Sequence, residues 1–136
     1  MQINELRIGN YVLKKGGLIK CDSDFLRDLF YCGGEGNLSG VELTEKILIK
    51  CCGFNKSVRP NHTDLYKDLT ARMILWFNEG NVAEMDLIQD GKNISFKHSH
   101  VLYLHQLQNL HFALTNTEIE INNITKVLDK LVGFKN

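Results

Sequence analysis

The sequence predicts a single α+β domain over residues 1–136, in which a small antiparallel sheet is packed by a long central helix. Three observations favour this class. Apolar residues recur with helical spacing over residues 101–114, and short runs rich in β-branched and aromatic residues are separated by Gly and Asn turns elsewhere. A chain of 136 residues is also long enough to bury its own core. We expect the sheet to combine an N-terminal hairpin with a three-stranded meander, flanked by short helices.

The N-terminal part is predicted to form a hairpin followed by a short helix. Residues 6–14 and 18–20 are apolar runs around the Gly16-Gly17 pair, which is typical of a β-hairpin. Gly9-Asn10 indicates a bend within the first strand. Asp22 can cap a helix that the Gly-rich stretch at 33–36 ends.

Residues 44–54 carry the clearest helix signals in the chain. Thr44 is a suitable N-cap, and Leu43 and Leu48 occupy the two positions of a hydrophobic staple. Gly53 can adopt the left-handed conformation that ends a helix, so that Phe54 folds back on the last turn. A helix is therefore predicted between Thr44 and Gly53.

The second half of the chain is predicted to hold the meander and two helices. Residues 55–70, which include Pro60, are expected to be a polar connection. Strands are predicted over residues 71–78, 82–88 and 93–98, with a hairpin turn at Asp90-Gly91. The helix at 101–114 follows, and a last helix begins near Asn123. We interpret residues 122–136 as a C-terminal helix added to the domain.

Charge and composition reduce the number of plausible functions. Sixteen basic residues balance sixteen acidic ones, whereas proteins that bind the phosphate backbone usually carry a basic excess. We therefore do not favour duplex nucleic acid as a partner. Nucleic-acid binding through the N-terminal hairpin stays open as an alternative, because the hairpin carries Arg7, Lys14, Lys15 and Lys20. Neither a run of transmembrane length nor a signal-peptide pattern is present, so we expect a cytoplasmic protein without a membrane partner.

The sequence contains no catalytic or cofactor motif. His98 and His100 would share one strand face, but a zinc site needs further ligands at fixed geometry. His105 and His111 are six residues apart on a helix and cannot chelate one ion. We therefore expect no metal and no cofactor, and we assign no catalytic residue. An alternative that stays open is a small hydrolase or nuclease-like enzyme that uses residues from this set: His98, His100, Glu84 and Asp86.

The four cysteines are expected to be reduced, buried and chemically inert. The sequence offers no secretory context for disulfides, and the adjacent pair Cys51-Cys52 has neither redox nor zinc-finger spacing. Cys21 and Cys32 stand in strand and helix contexts that favour unreactive thiols.

The central helix concentrates the polar groups that could form a binding site. Its apolar stripe contains Tyr103, Leu104, Leu107, Leu110 and Leu114, and His111 falls within that sector as a core histidine with one hydrogen bond. The remaining wedge holds amide and imidazole groups, which suit a polar ligand, a peptide backbone or an ordinary helix face turned to water or to a loop. The candidate ligand-binding residues are His105, Gln106 and Asn109, with Tyr103 and Trp76 as aromatic neighbours.

Three stretches resemble a family of small proteins, without an assigned activity, from Bacteroidetes genomes, prophages and phages. They are NELRIGNYV at 4–12, VELTEKILIKCCGF at 41–54 and LHQLQNLHFALTNTEIEI at 104–121, about a third of the chain. The chain departs from that family in three ways. It has the pair Cys51-Cys52, it has no Trp in the helix predicted within residues 41–54, and it has a further helix from Asn123. The resemblance implies a setting, since small phage accessory proteins without catalytic motifs commonly act by binding.

These observations lead us to expect a non-enzymatic binding protein of a phage or mobile element, located in the host cytosol. It would sequester a small polar, nucleotide-like ligand or block a host defence protein. An interaction adaptor and a small hydrolase remain as alternatives, and the sequence leaves homo-oligomerisation open.

Overall fold

The computed structural model describes residues 5–15, 17–32, 38–58, 60, 63–68, 72–78, 81–89, 92–97 and 103–129. The α+β class is confirmed. In chain order the elements are β1 (Tyr11–Lys14), β2 (Gly17–Lys20), α1 (Ser23–Cys32), β3 (Leu38–Gly40), α2 (Glu45–Lys50), β4 (Asn55–Val58), β5 (Thr63–Asp68), β6 (Arg72–Asn78), β7 (Asn81–Gln89), β8 (Lys92–Lys97), α3 (Leu104–Thr115) and α4 (Ile124–Asp129).

The strands form two antiparallel sheets where one was predicted. The first has the order β2-β1-β3, and the second has the order β4-β5-β6-β7-β8. The hairpin does not join the meander because the free side of β1 pairs with β3, with Val12 opposite Gly40. The meander itself is confirmed as β6, β7 and β8, which pair in sequence order.

The prediction that residues 55–70 are a polar connection missed two strands, β4 and β5. Residues 55–58 and 63–68 are paired strands, with Asn55 opposite Tyr66, and β5 continues the sheet to β6. Most of β4 is exposed, so this strand has no apolar alternation to reveal it. Its strand conformation follows from backbone pairing with β5, which sequence periodicity does not report.

The predicted bend in the first strand is confirmed at Gly9, whose φ is 95°. The Gly9 N–H donates to the Cys21 carbonyl at 2.8 Å, and the Cys21 N–H donates to the Asn10 carbonyl at 2.8 Å. The bend moves residues 5–10 out of the strand direction, and β1 begins only at Tyr11. Residues 5–10 are thereby free to follow α3 instead.

The features predicted for α2 are confirmed. The Thr44 hydroxyl accepts a hydrogen bond from the Ile47 N–H at 3.2 Å. Leu43 and Leu48 are both buried in the core. Gly53 has a φ of 75°, and the Phe54 N–H donates to the Leu48 carbonyl at 3.0 Å, which folds the chain back over the helix end.

Helix α3 begins at Leu104, three residues later than predicted. The Leu104 N–H donates to the Val41 carbonyl at 2.8 Å. Tyr103, the residue before the helix, therefore has an extended backbone and pairs with Glu42, just after β3. Leu104 and Leu107 are fully buried as expected, whereas Leu114 is 37% exposed because it lies in the last turn.

One core joins α2, α3 and α4. Ile47 and Leu48 from α2 pack with Leu107 from α3 and with Val127 and Leu128 from α4.

The description of residues 122–136 as an added helix stays a prediction. The predictions for residues 33–36, for Asp90-Gly91, for His98 and His100, and for residues after 129 lie outside the described residues. No helix within the described ranges is both long and apolar enough to cross a membrane.

Candidate binding site

Both sides of α3 are covered in the structure. One side packs into the core through Leu104 and Leu107, and the other side is covered by residues 5–10. His105 is therefore buried, with 1% of its surface exposed. Of the two ordinary surroundings expected for the polar wedge, water or a loop, the structure has the second at this position. The helical wheel could not reveal this because the covering segment is about a hundred residues distant in sequence.

The Asn109 side chain is saturated by internal hydrogen bonds. Its Oδ1 accepts from the Arg7 Nε at 3.1 Å and from the Asn10 Nδ2 at 2.9 Å. Its Nδ2 donates to the Glu5 carbonyl at 2.7 Å. With these three contacts Asn109 fixes the N-terminal segment against α3 and has little capacity left for a ligand.

Gln108 makes the second set of contacts to this segment, and sequence reasoning missed it. Its Nε2 donates to the Gly9 carbonyl at 2.9 Å, and its Oε1 accepts from the Tyr11 N–H at 2.9 Å. The residue is buried. A buried amide needs hydrogen-bond partners, and so do the backbone groups at a bend in a strand. These two needs together are the signal that could have indicated Gln108.

Gln106 and Tyr103 serve the start of α3. The Gln106 Oε1 accepts from the Tyr103 N–H at 2.9 Å, which satisfies a donor that the helix leaves free. The Tyr103 ring stacks on His105, with 5.9 Å between centroids and 12° between planes, and lies against Gly40. The structure thus brings Tyr103 and His105 together, while the side chain of Trp76 in β6 lies outside those described.

The two histidines of α3 differ in their hydrogen bonds. His111 is buried as predicted, and its Nδ1 lies 2.8 Å from the Thr117 carbonyl, to which it must donate its proton. The His105 ring nitrogens make no hydrogen bond with a described residue, and Nε2 lies 3.6 Å from the Glu5 carboxylate. Burial lowers the pKa of both histidines, so both rings are neutral in the folded protein at neutral pH.

Arg7 is the charged centre of the contact between residues 5–10 and α3. Its guanidinium forms a two-point ion pair with Glu118, with the Nη2–Oε1 distance at 2.9 Å, and lies 4.5 Å from the centroid of the Phe112 ring. The hydrogen bonds with Glu118 raise the pKa of Arg7, and those with Arg7 lower the pKa of Glu118. The carboxylate is therefore already neutralised within the protein.

An open cleft of about 310 Å³ lies beside this contact, between the hairpin and residues 118–121. We call it the hairpin cleft. Its apolar lining is Ile8, Ile119 and Ile121, and its polar lining includes Tyr11, Lys20 and Glu118. The Lys20 Nζ lies 5.7 Å from the centroid of the Tyr11 ring. None of the five sequence-predicted site residues lines this cleft, which adjoins α3 through Gln108.

The described residues offer little reactive chemistry. Burial raises the pKa of the Cys21 thiol to about 11 and of the Cys52 thiol to about 12, and it also raises that of Cys51. Within the described ranges no three His, Cys, Asp or Glu side chains lie close enough together to hold a metal ion. Of the four residues in the hydrolase alternative, only the side chain of Asp86 is described, and it is buried.

Comparison of the chain with family models, with curated proteins and with solved structures gives no match.

Proposed function

We propose that the protein is a non-enzymatic binding protein that holds a small polar ligand in the hairpin cleft. The observation that supports this is the combination of chemistries in one concavity. A Lys20 ammonium group and a Tyr11 ring lie beside the side chains of Ile119 and Ile121. A volume of about 310 Å³ is at the lower end of the range for small-molecule sites.

The walls of the cleft are held in place before a ligand binds. Gln108 fixes the bend at Gly9 and the start of β1 at Tyr11, and Arg7 joins the N-terminal segment to Glu118. The Gln108 hydrogen bonds are half-buried, whereas those between Arg7 and Glu118 are exposed. Preorganised walls reduce the entropy that binding would otherwise cost, which suits a protein whose activity is to retain its ligand.

The charges in the cleft favour a ligand with an anionic group and an apolar, planar part. The Glu118 carboxylate is paired with Arg7, and the charge of Lys20 makes a smaller contribution to the lowered pKa of Glu118. Lys20 itself makes no ion pair with a described residue. The ammonium group is thus available to a phosphate or carboxylate, and the Tyr11 ring with the isoleucines offers a surface for a base or similar ring. A nucleotide-like molecule combines these features.

The family resemblance supports a setting in a phage or mobile element, acting in the host cytosol. In that setting a binding protein of this kind would remove a small signal molecule on which a host defence depends. The proposal requires no catalytic residue, which agrees with the thiol pKa values and with the internal use of Gln108, Asn109 and Arg7.

The test is a titration of ¹⁵N-labelled protein with adenosine monophosphate, with adenosine and inorganic phosphate as separate arms. We expect saturable shifts of the Gly9, Tyr11, Lys20 and Ile119 amides. Lys20→Gln should weaken binding about fivefold, because one charge-assisted contact is lost. Lys14→Gln, an exposed lysine on β1 that faces Phe25, is the matched control and should bind as the parent does. Absence of saturable shifts at these amides with all three probes would reject the proposal.

A second candidate function, the blocking of a host protein or an adaptor role, is favoured by one feature of α1. Phe30 is 73% exposed and Tyr31 is 78% exposed, and their rings form an edge-to-face pair at 6.0 Å. Exposed aromatic residues are enriched in protein interfaces. Retention of one host protein by the parent, together with its loss from a Phe30→Ser/Tyr31→Ser variant, would support this function. Equal retention by both would exclude α1 as the contact.

A further inference from the structure

A second cleft, of about 420 Å³, lies between α2 and α4. We call it the lysine cleft, because its lining includes Lys46, Lys50 and Lys126 together with Asn123 and Val127. We propose that the lysine cleft binds the phosphate group of a small phosphorylated molecule. It shares no lining residue with the hairpin cleft, so this inference stands independently of the proposed function.

The fold places the three lysines in the lining of one cleft. Lys46 and Lys50 are four residues apart in α2 and therefore project from one helix face. Helix α4 contributes Lys126, and its position is fixed because Val127 and Leu128 pack with α2 in the core. The Asn122 N–H also donates to the Cys51 carbonyl at 2.8 Å, which joins the end of α2 to the start of α4.

The positive charge of this cleft is not neutralised by acids on the same elements. Glu45, the acidic residue of α2, is paired with Lys56 at 2.5 Å. Glu120 accepts a hydrogen bond from Asn122 at 3.2 Å. Asp129 follows Lys126 by three residues in α4 and forms no ion pair with it. Within the described part of the chain, none of the three lysines has an ion-pair partner.

This local excess of charge stands out in a chain with sixteen basic and sixteen acidic residues. Like charges on neighbouring turns repel one another, so a bound anion would stabilise the arrangement. A phosphate group carries close to two negative charges and several acceptor oxygens, and three ammonium groups can donate to it together. Lysine binds phosphate as a point charge and does not need the fork geometry of arginine.

The shape of the cleft favours a small molecule over a nucleic acid strand. The lysines converge from two short helices on one concavity, whereas a nucleic acid strand is bound along an extended basic groove. Val127 and the Asn123 amide lie in the same lining and offer an apolar contact and a hydrogen-bonding group to the esterified part of the ligand. The inferred ligand class is therefore a phosphomonoester or a short polyphosphate.

The test uses the full chain in low-salt buffer, titrated with inorganic phosphate, with pyrophosphate and with adenosine monophosphate, while amide shifts are recorded. We expect saturable shifts at Lys46, Lys50, Asn123 and Lys126, with tighter binding of pyrophosphate than of phosphate. Each of Lys46→Gln, Lys50→Gln and Lys126→Gln should weaken binding in the lysine cleft about threefold to tenfold, and the triple variant should abolish binding in that cleft. All three side chains are exposed, so the variants should keep the parent's midpoint of thermal unfolding.

Lys14→Gln is the matched control, since it removes one exposed lysine elsewhere on the surface and should leave these shifts unchanged. Three results would overturn the proposal. The first is the absence of saturable shifts in the lysine cleft, and the second is a saturable shift of the Asn123 amide that the triple variant retains. The third is the same shifts on addition of sodium chloride at equal ionic strength, since screening alone would then account for them.

Discussion

Arg7 and Glu118 lie 111 positions apart in the sequence and form a two-point ion pair. The same guanidinium donates to the Asn109 side chain at 3.1 Å and lies against the Phe112 ring at 4.5 Å. One side chain thus joins the N-terminal segment, α3 and the segment that follows α3. The hairpin cleft lies between the N-terminal segment and the segment that follows α3. Its shape therefore depends on the ion pair between Arg7 and Glu118.

Replacement of Arg7 by lysine should lower the free energy of unfolding by about 1–2 kcal/mol. An ammonium group cannot donate two parallel bonds to Glu118 while also bonding Asn109 and stacking on Phe112. Glu118→Gln should cost less, about 0.5–1 kcal/mol, because that side chain is half exposed and solvent screens the pair. Urea unfolding measures both changes.

Arg27→Lys is the matched control for this experiment, because Arg27 also pairs with an acid, Asp24 at 3.2 Å, but both side chains are exposed. Such a surface pair contributes about 0.3–0.5 kcal/mol. If Arg7→Lys and Arg27→Lys had equal effects, the joining role of Arg7 would be disproved.

The two buried histidines should respond differently to removal of their nitrogens. His111→Phe loses the bond to the Thr117 carbonyl and should cost about 1–2 kcal/mol of unfolding free energy. His105→Phe keeps the ring stacked on Tyr103 and loses no hydrogen bond with a described residue, so it should be tolerated. A larger cost for His105→Phe than for His111→Phe would contradict this assignment.

These histidines should also make stability depend on pH. Their pKa values are lowered in the folded protein because of burial, so the unfolded chain takes up protons that the folded chain does not. The free energy of unfolding should therefore fall as the pH falls from about 7 to about 5.5, and His105→Phe should reduce that slope. The lowered pKa of Glu118 acts in a separate window, since its stabilisation is present above the ordinary value of 4.5 and is lost at lower pH. An unchanged slope in His105→Phe would show that His105 is not the titrating group.

The parts of the fold that were predicted correctly depend on signals that are local in sequence. Helix α2 follows from Thr44, Leu43, Leu48 and Gly53, all within ten residues of one another. The strand β4 was missed because its conformation depends on pairing with β5, and its exposed side chains carry no pattern.

The candidate site was harder to predict for the same reason. Helical periodicity gives the faces of α3, but it does not show that residues 5–10 cover the polar face. The groups that bring this about, Asn10 with Asn109 and Arg7 with Glu118, are separated by 99 and 111 positions. The polar residues that first indicated a ligand are consequently used to build the fold, and the open cleft lies beside them.

The buried cysteines should be nearly unreactive in the folded protein. In a Cys32→Ser background, alkylation at about pH 8 should be about 100-fold slower for Cys21 than in urea, because burial raises its pKa from 9.0 to about 11 and reduces the thiolate fraction accordingly. Cys52, with a pKa of about 12, should react more slowly still. Mass spectrometry of tryptic peptides gives the rate at each site. Equal rates in buffer and in urea would show that these thiols are accessible.

Gly40 should be required by the position of the Tyr103 ring. A Cβ atom at residue 40 would lie 2.5 Å from Cγ and 2.6 Å from Cδ1 of Tyr103, which is closer than side-chain contacts allow. The ring cannot move away freely because it stacks on His105 and its backbone is bonded by Gln106. Gly40→Ala should therefore lower the free energy of unfolding by about 1–3 kcal/mol.

The neighbouring exposed residue Ser39 provides the control for Gly40, and Ser39→Ala should change stability by no more than about 0.5 kcal/mol. The cause can be isolated with a second background, because Tyr103→Ala removes the ring that the new methyl group would meet. Gly40→Ala should then cost clearly less in Tyr103→Ala than in the parent chain, as measured by urea unfolding. An equal cost in both backgrounds would mean that the strain arises in the β3 backbone and that Tyr103 does not require glycine at position 40.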